Sequence, residues 1–82
     1  MSQVFRLRLT LSPDPAGGFV VTSPDLPELL SEGDSAAEAL ANVRDAVEAV
    51  HELYQDLKKP FPSHLIASPS GPVEFETLID AA

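Results

Sequence analysis

The chain contains no cysteine and no tryptophan, and only five Lys and Arg among its 82 residues. Without cysteine there is no disulfide scaffold, no thiolate metal cage and no thiol nucleophile, and cysteine usage is silent on redox compartment. The two histidines, His51 and His64, are isolated from other ligand types, the serines fall in turns or caps, and no Gly-x-Ser-x-Gly motif occurs; no metal, cofactor or catalytic triad is indicated. Five cations, with Lys58-Lys59 the only adjacent pair, do not supply the phosphate neutralisation that drives direct nucleic-acid binding. No apolar run approaches the ~18 residues of a membrane span, and Met1-Ser2-Gln3-Val4 does not open a charged-then-apolar leader. The expected location is therefore cytoplasmic. Aromatic residues make up 6% of the chain, and all five have credible core positions, so no small ligand is indicated.

What is abundant is acid. Thirteen Asp and Glu give a net charge of −8, which repels phosphate and anionic lipid and complements a basic partner. The hydrophobic fraction of 44% argues against disorder. The length fits one small domain, residues 1–82. A chain of this size buries only about 60–65% of its unfolded surface, and a homodimer or higher oligomer would supplement its core.

Val4 to Leu11 alternates Phe5, Leu7, Leu9 and Leu11 with Arg6, Arg8 and Thr10, the pattern of a strand with one buried face. Ser12 to Gly18, with two prolines, an aspartate and two glycines, predicts a reversal. Phe19-Val20-Val21-Thr22 then returns as the second strand of a hairpin. Ser23-Pro24-Asp25-Leu26-Pro27 is a stiffened connector, and Leu29 to Glu32 a short third strand. Ser35 and Glu38 have the spacing of a capping box. From there Leu40, Val43, Val47, Val50, Tyr54 and Leu57 form one stripe of a helix that packs on the sheet and stops at Pro60 and Pro62. After a loop containing Pro69, Gly71 and Pro72, Val73 to Ile79 alternates again and predicts a fourth strand. The plan is α+β, in the order β-β-β-α-β.

The run Gly17-Gly18-Phe19 to Pro24-Asp25-Leu26-Pro27, followed by Gly33-Asp34-Ser35 to Glu38-Ala39, resembles the HicB-type antitoxin family, as does the exit Lys59-Pro60-Phe61-Pro62. The resemblance covers roughly residues 4 to 62. It implies a partial RNase H-like sheet with one long helix on one face, no nuclease activity, and a small basic mRNA-cleaving toxin of the HicA type as partner. This chain has Glu28 where the family usually has Gly. Many members also carry a C-terminal DNA-binding domain, for which the twenty residues after Pro62 leave no room; a short form without it is expected.

At about 100° per residue, Glu38, Asp45, Glu52 and Asp56 share the outer helix face. With Asp25 and Glu28 of the connector they are the candidate partner-binding residues, against the bland reading of an ordinary solvated face. Glu74 and Glu76 match Arg6 and Arg8 as cross-strand ion pairs, or face another subunit together with Val4, Val20 and Leu78; the interface reading is preferred. Two alternatives stand beside the antitoxin reading. One is an orphan oligomeric scaffold of the same family without a toxin. The other is a metal-dependent RNase H-like nuclease, disfavoured because the first strand offers Arg6 and Arg8 where such a fold needs acid.

Overall fold

Alternation along residues 4–11 predicts one extended run, but the run, which continues to residue 13, divides between two antiparallel partners. In a computed structural model, which describes residues 3–68 and 70–81, β1 (Val4–Phe5) pairs with β5 (Ile66–Ala67), and β2 (Thr10–Pro13) pairs with β3 (Phe19–Thr22). Met1, Ser2 and Ala82 lie outside the described residues, as does Pro69, which the sequence pattern assigns to a loop. Between the two ladders, the Arg6 amide donates to the Leu65 carbonyl at 2.7 Å and the Arg8 amide to Asp25 Oδ2 at 2.9 Å. The single first strand expected from the sequence is thus one line of chain serving two small sheets. Phe5, Leu7 and Leu11 pack against the core, whereas Leu9, assigned to the same face, is 41% exposed.

The reversal between β2 and β3 is shorter than the Ser12 to Gly18 expected from composition, because Ser12 and Pro13 extend β2 opposite Val20 and Phe19 and leave the turn to residues 14–18. The Gly17 amide donates to the Asp14 carbonyl, the Asp14 side chain accepts from the Ala16 amide, and Gly17 and Gly18 take φ of 110° and 80°, which L side chains rarely adopt. β3 then pairs on its other edge with β4 (Leu30–Gly33) in the order β2-β3-β4. The third strand begins one residue later than expected, because Leu29 turns inward: it and Leu26 are fully buried, with the Leu29 amide closing on the Leu26 carbonyl at 3.0 Å.

Helix α1 (Ala36–Ala41) starts on the anticipated cap. Ser35 Oγ accepts from the Glu38 amide at 3.1 Å, and Glu38 Oε1 accepts from the Asp34 amide at 3.3 Å. The helix bends at Asn42 and continues as α2 (Val43–Asp56), where the sequence predicts one uninterrupted helix. Asn42 Nδ2 donates to the Glu32 carbonyl at 2.8 Å, so the bend is tied to β4. Val43, Val47, Val50 and Tyr54 of the stripe are buried with Val21, Leu26, Leu29, Ala39 and Leu65, while Leu57 stands in solvent. Lys58 at φ 53° terminates the helix, with the Lys59 amide returning to the Tyr54 carbonyl at 2.9 Å.

The architecture is α+β, with two antiparallel sheets and a bent helix. Its last strand differs from the expectation. Residues 73–79, including Glu74 and Glu76, are irregular and exposed, and the strand that follows the helix is the two-residue β5, reached through a 3₁₀ turn at Ser63–Leu65. Alternation equips a segment to pair but does not supply the edge it pairs with. The cross-strand ion pairs to Arg6 and Arg8, the less favoured of the two readings of Glu74 and Glu76, are accordingly absent among the described residues, and Arg8 bonds Asp25 instead.

Helix and sheet approach so closely at Gly33 that a Cβ there would overlap the Ala39 amide nitrogen and lie 2.7 Å from the Glu38 carbonyl carbon. Gly33→Ala is expected to cost about 1–3 kcal/mol as overpacking, and Leu26→Ala about 2–5 kcal/mol as a cavity. Gly71→Ala, with nothing within 4 Å, is the neutral control. Urea unfolding midpoints at unchanged slope measure all three.

Candidate functional site

The six carboxylates singled out for partner binding fall into two kinds. Asp25 is half-buried and bound to the fold's own groups. Its oxygens take Arg8 Nη2 at 2.8 Å, Arg8 Nε at 3.3 and 3.4 Å, and the Arg8 amide at 2.9 Å. Ser23 completes the arrangement by donating through Oγ to the Arg8 carbonyl at 2.6 Å and accepting from the Asp25 amide at 3.1 Å. The side chain of Asp25 is only 13% exposed against 77% for Arg8, so the arginine covers the acid and presents its outer side to solvent. Hydrogen bonding from Arg8 holds the Asp25 carboxyl below its ordinary range.

Glu28 is also engaged. Tyr54 donates its hydroxyl to Glu28 Oε1 at 2.8 Å, and Lys59 Nζ reaches Oε2 at 3.5 Å while sitting 4.7 Å from the Tyr54 ring centroid. The Tyr54 bond lowers the Glu28 carboxyl, and the same bond raises the Tyr54 phenol. The residue that departs from the usual Gly of the connector therefore has two dedicated partners at the end of α2. Sequence reasoning missed both, since Tyr54 and Lys59 stand 26 and 31 positions away.

Glu38 serves the helix cap described above. Asp45, Glu52 and Asp56 are exposed along α2 and take no side-chain hydrogen bond or ion pair among the described residues. Arg44 on the same helix lies 3.6 Å from Glu48. His51, read from the sequence as isolated from other ligand types, is half-buried with its ring edge-on to Phe61 at 4.9 Å and Phe5 at 5.4 Å, which seats the start of the chain against the helix.

Of the candidate interface residues, Val4, Arg6, Glu74, Glu76 and Leu78 line one open groove of about 1010 Å³ between the first strand and the final segment. Arg8 and Val20 do not line it: Arg8 turns to Asp25, and Val20 is half-buried in β3. The far end of the final segment is tied down by Asp80, which accepts from the Ala37 amide in the first turn of α1. Among the described residues no three His, Cys, Asp or Glu side chains converge in a way that would hold a metal ion.

The depressed carboxyls and the raised phenol set opposite limits on stability. The part due to Asp25 and Glu28 is complete above the ordinary carboxylate range near pH 4 and is lost as pH falls through their lowered values. The part due to Tyr54 is complete below about pH 10 and is lost as pH rises through its raised value. Tyr54→Phe is expected to flatten the alkaline limb of a melting-temperature profile and to move the acid limb upward, because Glu28 loses its largest stabilising bond. Asp25→Asn is expected to alter the acid limb alone.

No family model matches the chain. It is 37% identical over 62 residues to Antitoxin HicB of Escherichia coli strain K12, which is 73% of this chain and 45% of that protein. It is 39% identical over 57 residues to Antitoxin HicB 1 of Photorhabdus laumondii, 70% of this chain and 37% of that protein. The chain thus spans less than half the length of these curated relatives. Identity at this level, across most of a chain with this α+β plan, shows that the chain belongs to the HicB-type antitoxin family.

Proposed function

We propose that the chain is a non-catalytic antitoxin that binds a small, basic mRNA-cleaving toxin of the HicA type and neutralises it by covering its active site, acting in the cytoplasm as a homo-oligomer. The observation that carries the reading is the division among the carboxylates. Asp25, Glu28 and Glu38 are committed to the fold, whereas Asp45, Glu52 and Asp56 form an exposed acidic row on α2 with no internal partner among the described residues. In a chain of net charge −8 whose relatives are named antitoxins, that row is the surface best suited to a cationic protein. Opposite charge of this kind accelerates encounter and rejects wrong partners more than it adds affinity.

The second reading, an oligomeric scaffold without a toxin, draws on the apolar groove between the first strand and the final segment, which is suited to contact between copies. Co-expression with the product of the adjacent gene separates the two. The antitoxin reading expects a stable complex with a small basic ribonuclease and suppression of its RNA cleavage; absence of both would leave the scaffold in front. The triple substitution Asp45→Lys, Glu52→Lys, Asp56→Lys is expected to slow association with that ribonuclease by about 10-fold or more at low salt and to flatten its salt dependence. Thermal stability should change little, since these side chains are exposed and unpartnered. Stopped-flow association at two ionic strengths reads the effect.

A further inference from the structure

The bonding of residues 4–13 is one-sided. The Arg6 amide goes to Leu65, the Arg8 amide and carbonyl go to Asp25 and Ser23, and β2 pairs with β3. Because an extended backbone alternates its polar groups, those of Leu7 and Leu9 face the opposite edge. Among the described residues neither makes a backbone hydrogen bond there. This edge carries no proline before Pro13, so it is an open template for another strand.

The chain also holds a strand-like segment with nothing to pair with. Val73 to Ile79 alternates like an edge strand, yet takes part in no ladder, and Phe75 and Ile79 are 81% and 79% exposed. The two patterns fit each other. Laid along residues 5–11, the segment places Val73 and Phe75 on the side of Leu7 and Leu9, and Glu74 and Glu76 on the side of Arg6 and Arg8. Arg6, Glu74 and Glu76 have no ion-pair partner among the described residues. Within one chain the fit is not made. The segment is fastened at Asp80 to the start of α1 and borders an open groove of about 1010 Å³, without bonding the edge beside it.

We infer that the free edge of residues 5–11 is completed by residues 73–79 of a second copy, in a reciprocal exchange that adds one outer strand to each chain. The exchange is isologous and closes at two copies. It supplies main-chain hydrogen bonds for affinity and alternate side-chain matching for register, as strand addition does generally. This inference rests on the homo-oligomer part of the reading above and not on toxin binding.

The cysteine-free sequence makes the test direct. The full chain is first sized by light scattering, with twice the 8.7 kDa chain mass expected. Leu9→Cys and Phe75→Cys, both at exposed positions, are then prepared as separate chains and oxidised alone and mixed. A disulfide-linked pair formed in the mixture well above either chain alone, together with a dimer at least 10-fold weaker in Glu74→Lys, Glu76→Lys, is the expected result. A monomeric parent overturns both the oligomer and the exchange. A dimeric parent whose mixed variants do not cross-link overturns the exchange alone. Circular dichroism of each variant shows that the fold is intact.

Discussion

The seating of Leu26 and Leu29 governs the rest of the molecule. They belong to a seven-residue connector between β3 and β4, and both are fully buried beneath the helix. Each contributes about 1.5–3 kcal/mol by leaving water, but their placement matters beyond that term. Pro24 and Pro27 restrict the backbone, and the carboxylates beside the leucines reach outward in two directions. Asp25 binds Arg8 of the first strand, and Glu28 binds Tyr54 and Lys59 at the end of α2. One short segment thus plugs the core and clamps the start of the chain and the end of the helix to the same point.

Much of this plan was legible from local pattern. The hairpin turn, the Ser35 cap and the stripe from Val43 to Tyr54 depend on residues a few positions apart, where spacing alone carries the information. The connector was not legible in the same way. Leu26 and Leu29 sit among prolines and acids with no helical or strand period, so nothing nearby marks them as the centre of the core. The acid partners were hidden by distance along the chain, 17 positions for Arg8 and Asp25. β5 is two residues long and too short for a period, whereas residues 73–79 show a clear one without forming a ladder. Alternation is a property of the segment, and strand formation a property of the pair.

The same distance effect bears on the functional surface. By composition, Asp25, Glu28, Glu38, Asp45, Glu52 and Asp56 are equivalent candidates. The fold commits the first three to Arg8 of the first strand, to Tyr54 and Lys59 at the end of α2, and to the helix cap. A group already satisfied in this way has less to offer a partner, since the existing bonds must be exchanged rather than gained. The carboxylates of α2 carry no such cost, and their field extends about 8 Å at physiological salt. A docking surface on this protein is therefore better argued from the helix than from the connector, although the connector contains the more recognisable motif.

Size and shape supply the last step. A compact chain of this length has a radius of gyration of about 12 Å, and the observed value is 13.7 Å. The excess agrees with a final segment whose apolar residues lie outside the core cluster rather than in it. Removing those residues from water would enlarge a small core, yet the chain's interior is already occupied by the connector leucines and the helix stripe. Burial must then come from a surface that is itself short of a neighbour. Among the described residues, the outer edge of the first strand combines an unpaired backbone, apolar residues at alternate positions and an arginine without an ion-pair partner, and the proposed strand exchange rests on this conjunction rather than on the acidic charge.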